Sequence, residues 1–514
     1  MHAALSTVDA ASLVQAQFTR LGKTGKPQAG EWTVLAGFVV SREGERQPQV
    51  VALGTGTKCL SRSQVARDSA GWLVHDAHAE VCARRCLLLY FLDQIELAAS
   101  RPDDSIFRRL PGAGFELKPG VNLHMYSSQP PCGDAALFEV ADAPGERSGV
   151  CGGSDGASED AAPAKRQRLD LAESAEAHRT GAKPAGAAAC AAEAEAGGRS
   201  CALGLVRTKP GRGERTCCMS CSDKLARWVA LGLQGALLSH LLPAPIGLAS
   251  LTVGAPCSLA ALRRALVDRG GDGVDGGGGG GGDDGGGSDR EEARPALALA
   301  VAARPFAHDP PTVSAAADEC AVVPTPEAGA ASAVAGWRPC SNSVLWRASV
   351  AAGPAGVAEA LNGLAGVRLG ANTKKGAASP KHRCGTCKAL LLRRFVDVCA
   401  ALPADALPPP LRPAAPATGT PAAPATDGAE VSDGATLPPS SSVVAEAADG
   451  LPRGTLATRS YRELKQASEG YQRRRAAFLA SPAWSDWVCA PACCEEFADA
   501  DAPLAPGPRT TVNE

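Results

Sequence analysis

The chain has 514 residues, enough for two or three average domains, and it contains 57 glycines and 39 prolines. Because much of that glycine and proline falls in a few stretches, the folded part is shorter than the chain, yet it can still bury a sizeable core. Lysine and arginine total 52 against 54 acidic residues, a net charge of −2. This balance excludes a global polycation, so any nucleic-acid surface must be local.

Cysteine usage and the apolar segments predict a compartment. The 19 cysteines are an odd number, and residues 1–20 lack an apolar core with a cleavage site, so we predict no signal peptide. We therefore expect a protein of the nucleus or the cytoplasm whose thiols are reduced, with a few of them bound to a metal. The apolar run over residues 296–303 is too short to span a bilayer, so we expect no membrane association.

Apolar periodicity and turn residues predict alternating helices and strands along the chain. The predicted helices span residues 9–21, 81–97, 220–231, 258–267, 382–401 and 459–479. The predicted strands span residues 32–41, 49–53, 121–127, 234–242, 343–348 and 367–369. This alternation predicts an α/β fold.

Three low-complexity stretches interrupt these patterns. Residues 141–200 are rich in Ala, Gly, Glu and Ser and are predicted to be a disordered insertion. Residues 268–296 form an acidic, glycine-rich insertion that is typical of a flexible linker, and residues 402–456 form an insertion rich in Pro and Ala. We therefore predict a single domain over residues 1–514 that these three insertions interrupt.

The triplet His78-Ala79-Glu80 opens one of the predicted helices. Side chains two apart in a helix interior point in nearly opposite directions, so His78 and Glu80 can serve one site most easily at the helix start. That end also offers free N–H groups and the positive end of the helix dipole. An imidazole there can hold a metal, and the carboxylate can move protons, although the triplet alone arises often by chance.

Two cysteines complete a possible ligand set. Cys132 follows two prolines at the end of a predicted strand, and Cys221 opens a predicted helix. One His and two Cys leave a fourth zinc position for water, as in a catalytic site. Zinc deaminases use this arrangement with a non-ligand Glu, in the pattern H-x-E followed by P-C-x-x-C. Here Ala135 occupies the last position of that pattern, so Cys221 is predicted as the second thiolate.

Five stretches in this order resemble the adenosine deaminases acting on RNA. Three are His78-Ala79-Glu80, Pro-Cys-Gly-Asp-Ala at residues 131–135 and Ser-Cys-Ser-Asp-Lys at residues 220–224. Residues 207–213 (Arg-Thr-Lys-Pro-Gly-Arg-Gly) and 369–376 (Leu-Gly-Ala-Asn-Thr-Lys-Lys-Gly) resemble the tRNA-specific branch of that family. The resemblance implies a cytidine-deaminase-like core with a mixed β-sheet and flanking helices, extended by a C-terminal helical part around an inositol polyphosphate.

The resemblance also implies a reaction and a substrate. The implied zinc ligands are His78, Cys132 and Cys221. Glu80 would take a proton from the attacking water and deliver protons to N1 of adenine and to departing ammonia, which gives inosine. The implied target is the adenosine at position 37, next to the anticodon, of alanine tRNA. The positions expected to contact RNA are Thr57, Lys58 and Lys209.

The family buries inositol hexakisphosphate as a structural cofactor. The matching positions in this chain are Arg84, Arg85, Lys224, Arg227, Lys375, Tyr461, Lys465, Tyr471, Arg475 and Trp487. So many cations would repel each other without a polyanion between them. The resemblance further implies that Asp76 and Lys224 relay hydrogen bonds between this cage and the zinc site. Five positions depart from the family pattern. His75 replaces Asn, Cys218 replaces Thr, Ala236 replaces Ser, and Cys489 and Ala490 stand where the duplex editors have a Glu-Lys pair.

Four of the cage positions fall on one predicted helix, residues 459–479. Tyr461, Lys465, Tyr471 and Arg475 would share a broad face of that helix, and hydroxyls alternating with cations suit a polyanion. The alternative interpretation of each basic cluster is a solvated charged face.

Other functions stay open at this stage. The short segment over residues 207–221 fits an enzyme that acts on an unstacked loop base, since no extrusion of the base from a helix is needed. A deaminase of duplex RNA or of cytidine is one alternative. A non-enzymatic RNA-binding relative with structural zinc is another, and the pairs Cys218-x-x-Cys221 and Cys384-x-x-Cys387 are compatible with a four-cysteine site. The expected partner is tRNA, with no obligate protein partner.

Overall fold

The computed structural model describes residues 8–45, 47–139, 168–170, 177–196, 200–211, 214–270, 297–302, 304–309, 336–372, 379–411 and 456–499. The helices of this part are α1 Ala10–Arg20, α2 Arg62–Ala66, α3 Ala79–Ser100, α4 Ala187–Glu195, α5 Cys221–Leu231, α6 Gly235–Leu238, α7 Leu259–Leu266, α8 Lys388–Ala401, α9 Tyr461–Gln466 and α10 Glu469–Ala480. Within these described ranges, no helix combines the length and the apolar character needed to cross a membrane.

Within the part of the chain that the structure describes, eight strands form the central sheet. They are β1 Leu35–Arg42, β2 Gln49–Thr55, β3 Val121–Ser127, β4 Ser250–Val253, β5 Ala298–Val301, β6 Asn342–Ser349, β7 Gly353–Asn362 and β8 Val367–Arg368. Their order across the sheet is β5-β4-β3-β1-β2-β6-β7-β8. The neighbours β3, β4 and β5 are parallel, whereas the remaining pairs are antiparallel, so the sheet is mixed, as predicted.

Among the described residues, six short two-stranded ribbons accompany the sheet. They pair Glu31–Trp32 with Arg338–Pro339, Thr57–Cys59 with Asp76–His78, Phe107–Leu110 with Gly114–Leu117, Phe138–Glu139 with Ala177–His178, Arg168–Asp170 with Ser200–Ala202, and Lys183–Pro184 with Arg207–Thr208. The ribbon formed by residues 57–59 and 76–78 leads directly into α3, so it positions the start of that helix.

The sheet is covered on both faces because side chains alternate along its strands. On β1, Ala36, Phe38 and Val40 belong to the main core, which also contains the buried face of α3. Leu35 and Val39 point to the other face and pack with α1. The central strands therefore lie between α3 on one face and α1 on the other.

Several predicted elements are confirmed. The helices over residues 9–21, 81–97, 220–231 and 258–267 and the strand over residues 121–127 are all present. Ser220 and Ser258 are the N-cap residues of α5 and α7, and each side-chain oxygen accepts a backbone N–H of its helix. Caps of this kind explain why the helix starts could be located. The short strands over residues 250–253 and 298–301 were not predicted.

The predicted strand over residues 234–242 is wrong, because this segment contains the helix α6. Residues 236–238, 241 and 242 are all buried, and periodicity cannot distinguish a buried helix from a buried strand in so short an apolar run. Gln234 closes the segment: its amide nitrogen donates to the carbonyl of Ala244 at 3.0 Å and its oxygen accepts from the backbone N–H of Ile246 at 2.9 Å.

Two predicted helices are shorter than expected. The helix predicted over residues 382–401 begins at Lys388, and the backbone N–H of Gly385 before it donates to Glu359. The helix predicted over residues 459–479 is two helices, α9 and α10, separated at Ala467 and Ser468. Tyr461 and Lys465 therefore lie on one helix and Tyr471 and Arg475 on the next, so the single shared face is wrong.

The predicted insertions differ in their outcome. Most of residues 141–200 and 402–456, and residues 271–296, lie outside the described residues. Residues 177–196, however, form two short strands and α4, which pair with residues 138–139 and 207–208. The prediction of disorder is therefore wrong for this part of the insertion, because its backbone completes two ribbons beside the deaminase-like motifs.

Candidate metal and catalytic site

Three separate elements deliver the predicted metal ligands. His78 ends a ribbon strand and is the N-cap residue of α3, Cys132 follows β3, and Cys221 is the first residue of α5. Their ligand atoms all lie within 4.8 Å of one another. His78 Nδ1 lies 3.8 Å from Cys132 Sγ and 3.7 Å from Cys221 Sγ.

These distances suit a tetrahedral site, since zinc bonds of roughly 2.0–2.3 Å place neighbouring ligand atoms somewhat under 4 Å apart. Cys221 is fully buried, whereas His78 and Cys132 are half-buried, so one side of the group remains open. The group can therefore hold a metal ion and leave a position for a further ligand.

The start of α5 supports the thiolates. The backbone N–H of Cys221 donates to Cys132 Sγ at 3.3 Å, and the backbone N–H of Ser222 donates to the carbonyl of Cys132 at 3.0 Å. A hydrogen bond from the side chain of Cys221 outweighs burial and lowers the pKa of Cys132 well below its usual value. Gly133 is required here, because its φ is +112° and a Cβ would lie 2.3 Å from Ser220 Oγ.

Glu80 lies beside the ligands without being one of the three. Its Oε2 accepts a hydrogen bond from Cys221 Sγ at 3.1 Å, and the side chain is buried. Burial raises the pKa of the Glu80 carboxyl, and the neighbouring Cys132 sulfur raises it further. A carboxyl with a raised pKa at this position suits a group that accepts and returns protons.

Asp76 joins this site to two lysines. Lys224 pairs with Asp76, as the predicted relay requires. Lys209 Nζ donates to Asp76 Oδ1 at 3.0 Å and Oδ2 at 2.7 Å, and also to Cys221 Sγ at 3.1 Å. Burial alone would raise the pKa of Asp76, but the two ammoniums lower it well below its usual value.

The RNA-binding role predicted for Lys209 is wrong. The side chain is only 1% exposed, and its ammonium is engaged by Asp76 and Cys221 inside the protein. A charge buried and paired in this way cannot reach a phosphate. Thr57 and Lys58 are half-exposed instead, and Thr57 lies directly opposite His78 in the ribbon.

Arg207 is also buried rather than part of a solvated basic face. Its guanidinium pairs with both carboxylate oxygens of Glu193 from α4, at 2.6 and 3.2 Å, and its backbone N–H donates to Asp223 at 2.8 Å. The ordered part of the predicted insertion therefore neutralises the residue that begins the strand leading to Lys209. Nothing in the composition of residues 141–200 indicated this contact.

The structure brings most of the predicted cage residues together. Burial and the neighbouring Arg227 guanidinium lower the pKa of Arg84 to about 10, and Tyr461, Tyr471 and Arg85 also surround it. Arg227 stacks on Trp487 at 5.1 Å from the ring centroid. Burial lowers the pKa of Lys465, and Arg227 and Arg475 lower it further. Lys375 lies outside the described residues.

Lys388 is a member of this cluster that the sequence interpretation missed. Its Nζ lies 3.3 Å from Glu495 Oε1, and Lys465 Nζ lies 2.6 Å from Glu495 Oε2. Burial opposes ionisation of Glu495, but the two ammoniums lower its pKa to about 2. In the sequence, Lys388 is one of many basic residues. Its position at the buried start of α8 distinguishes it from the other basic residues only in the structure.

The chemistry of the cluster fits an anion. Within the described ranges, the Nε atoms of Arg84 and Arg227 are buried and have no hydrogen-bond partner. Buried cations without compensating charge are costly. Arginine and lysine side chains arranged around a common space are the groups that bind phosphates.

Comparison with known proteins gives this site a context. Residues 52–275 match the model of the adenosine-deaminase (editase) domain. The chain is 38% identical over 261 residues to the tRNA-specific adenosine deaminase 1 of Drosophila melanogaster, covering 50% of this chain and 58% of that protein. It is 33% identical over 332 residues to the protein of the same name in Mus musculus, covering 49% and 65%.

A match to a second group of proteins points to the same domain. The double-stranded RNA-specific editase B2 of Mus musculus is 33% identical over 242 residues, which cover 46% of this chain and 29% of that protein. The chain thus spans less than two thirds of the length of these relatives. Residues 52–275 are therefore similar to the adenosine-deaminase (editase) domain, and the cluster of His78, Cys132 and Cys221 lies within them.

Proposed function

We propose that this protein deaminates adenosine to inosine in tRNA by zinc-dependent hydrolysis, at position 37 of alanine tRNA. The observation that carries the proposal is the arrangement of His78, Cys132 and Cys221 around an open position, with the Glu80 carboxyl 3.1 Å from Cys221 Sγ. The names of two matched relatives, both tRNA-specific adenosine deaminase 1, support the choice of tRNA as the substrate class.

The residues have distinct roles in this mechanism. A zinc ion held by His78, Cys132 and Cys221 would supply the positive charge that acidifies a water molecule at the open position. Glu80 takes a proton from that water and delivers protons to N1 of the adenine ring and to the departing ammonia. Lys209 Nζ donates to Cys221 Sγ, and an ammonium at this place favours the thiolate form that a metal ligand needs.

The open side of the site fits an RNA loop. Thr57 adjoins His78, since the two residues pair across the ribbon, and Lys58 follows Thr57 on the same strand. A half-exposed hydroxyl and a lysine at this place suit contact with the sugar-phosphate backbone. A base in a loop is already unstacked, so the site need not supply the few kcal/mol that extrusion from a duplex costs.

We also propose that the buried cation cluster holds inositol hexakisphosphate. The residues that would bind it are Arg84, Arg85, Arg227, Lys388, Tyr461, Lys465, Tyr471, Arg475 and Trp487, with Lys224 at the end nearest Asp76. The unpartnered Nε atoms of Arg84 and Arg227 support a polyanion at this place. Lys224 pairs with Asp76 and thereby connects the cluster to Lys209 and Cys221.

The experiment that tests the reaction is incubation of the purified zinc-loaded protein with an alanine tRNA transcript, followed by mapping of inosine by sequencing. We expect inosine at position 37, and we expect a chelator to abolish it and added zinc to restore it. A matched transcript with guanosine at position 37 is the control for site choice.

Deamination of double-stranded RNA is the second candidate, since an editase of such RNA matches at 33% identity. A perfect RNA duplex of the same length as the tRNA separates the two. Inosine in the duplex but not in the tRNA would reject the proposed substrate and retain the reaction. Zinc binding without inosine in either RNA would indicate a binding role.

A further inference from the structure

Two thiols outside the metal site, those of Cys59 and Cys218, lie on segments that pack against each other. Cys59 ends the ribbon strand Thr57–Cys59, where it is paired with Asp76. The carbonyl of Cys218 accepts the backbone N–H of Lys209 at 2.8 Å. Both cysteines therefore adjoin the residues of the Asp76–Lys209 pair, and neither belongs to the proposed metal ligands.

Each thiol reaches the backbone beside the other cysteine. Cys59 Sγ donates to the carbonyl of Pro210 at 3.7 Å. Pro210 follows Lys209, whose backbone N–H donates to the carbonyl of Cys218. Cys218 Sγ donates to the carbonyl of His75 at 3.8 Å, and the same carbonyl accepts the backbone N–H of Leu60, next to Cys59, at 2.9 Å. Each thiol therefore lies beside the segment that carries the other cysteine, and the two side chains interact electrostatically.

The pair also has the access and the charge that oxidation requires. Cys59 is half-exposed, so a small oxidant can reach the pair from its side. The interaction with the side chain of Cys59, with Lys224 and Lys209 nearby, lowers the pKa of Cys218 to about 7 against the effect of burial. A thiolate fraction at neutral pH is the form that peroxides attack.

We propose that Cys59 and Cys218 form a redox-modification site whose oxidant is a peroxide. The Cys218 thiolate attacks hydrogen peroxide, which, with one proton, gives a sulfenic acid and one water. The Cys59 thiol then attacks the Cys218 sulfur, and the S–O bond breaks as the S–S bond forms, which releases a second water. The two thiols are oxidised to a disulfide and the peroxide is reduced to water.

The disulfide would link the ribbon strand that pairs with residues 76–78 to the segment that carries Lys209. It closes a long chain loop, from residue 59 to residue 218, so it restricts the unfolded chain and raises stability. The inference concerns thiol chemistry and does not rest on the proposed deaminase activity.

The test treats the zinc-loaded full chain with hydrogen peroxide, alkylates the remaining thiols after denaturation and maps the peptides by mass spectrometry. We expect one peptide pair joined through Cys59 and Cys218, which dithiothreitol separates. Cys218→Thr and Cys59→Ser should each abolish it, whereas Cys190→Ser, which changes a half-buried cysteine elsewhere, should retain it. Oxidised wild-type protein should also unfold at higher urea, and Cys218→Thr should show no such shift.

Three results would overturn the proposal. One is full alkylation of both cysteines after peroxide treatment. Another is a link between Cys217 and Cys218 in place of the expected pair. The third is release of zinc before the link forms, because the ligand thiols Cys132 and Cys221 would then be the reactive ones. Zinc content is therefore measured at each time point.

Discussion

Lys209 connects two kinds of chemistry through a single ammonium group. It donates to both oxygens of Asp76 and to the sulfur of Cys221, and it is 1% exposed. In a buried environment such a cation favours both the carboxylate and the thiolate. The sequence around it, Arg-Thr-Lys-Pro-Gly, is equally compatible with a surface contact to RNA. Only the burial of Lys209 distinguishes a role inside the protein from a contact to RNA, so the role of Lys209 could not be assigned from the sequence.

Replacement of this lysine tests the role. We expect Lys209→Met to lower the free energy of unfolding by roughly 3 kcal/mol, because a buried charge loses one partner while Lys224 remains. We also expect lower zinc content and lower kcat, measured by metal analysis and deamination kinetics. The matched variant Lys58→Met, at a half-exposed position, should raise KM and leave zinc content unchanged. The same KM-only effect in Lys209→Met would restore the RNA-binding interpretation.

At the scale of elements, the starts of α3 and α5 could be predicted and much of the periphery could not. Motif residues such as His78 and Cys221 stand at helix starts because ligand geometry requires them there, and caps such as Ser220 identify those starts. The 234–242 segment and the 459–479 helix were misassigned because tertiary contacts decide short buried runs and helix breaks. The ordered residues 177–196 were missed because their composition resembles that of a disordered segment.

The close packing of α3 on the sheet depends on Gly54 of β2. A Cβ at this position would lie 2.5 Å from Cys82 Cβ and 2.6 Å from the backbone nitrogen of Ala83. Because that backbone cannot yield, we expect Gly54→Ala to lower the free energy of unfolding by about 1–3 kcal/mol in urea titrations. Gly22→Ala, where no heavy atom lies within 4 Å of the new Cβ, is the control. Equal stability of the two variants would contradict this packing.

Asp309, which contacts the end of β3, is expected to make the stability of the protein depend on pH. Ser128 Oγ donates to Asp309 Oδ1 at 2.7 Å, and burial raises the pKa of Asp309 from 3.8 to about 7. A folded pKa above the unfolded one gives stability that is full below the unfolded pKa and is lost as the pH rises through the folded pKa. Asp309→Asn should therefore gain roughly 4 kcal/mol relative to wild type between about pH 4 and pH 8. A pH-independent difference in urea unfolding would contradict the assignment.

At the scale of the whole molecule, the cation cluster joins chain segments that are far apart in sequence. Arg84 comes from α3, Arg227 from α5, Lys388 from α8 and Lys465 from α9, so a bound polyanion would hold four helices together. A ligand that binds only the folded state stabilises it by mass action. Folding and cofactor binding are then expected to be coupled.

Removal of cations from the cluster tests this coupling. We expect Arg84→Met and Arg227→Met to lower the inositol phosphate content of the purified protein, measured by mass spectrometry after acid extraction, and to lower the unfolding temperature. Arg108→Met, at an exposed arginine, is the control for loss of one positive charge. The proposed cofactor would be contradicted if the purified wild-type protein contained no inositol phosphate and had the same unfolding temperature as Arg84→Met and Arg227→Met.

The most direct test of the central claim compares the wild-type protein with Glu80→Gln on an alanine tRNA transcript, with zinc quantified in both. We expect inosine at position 37 with the wild type, and a rate about 10²–10⁴-fold lower with Glu80→Gln at equal zinc content, because only proton transfer is removed. Equal rates for the two proteins would contradict the role of Glu80. No inosine from the zinc-loaded wild type would contradict the proposed reaction on this substrate.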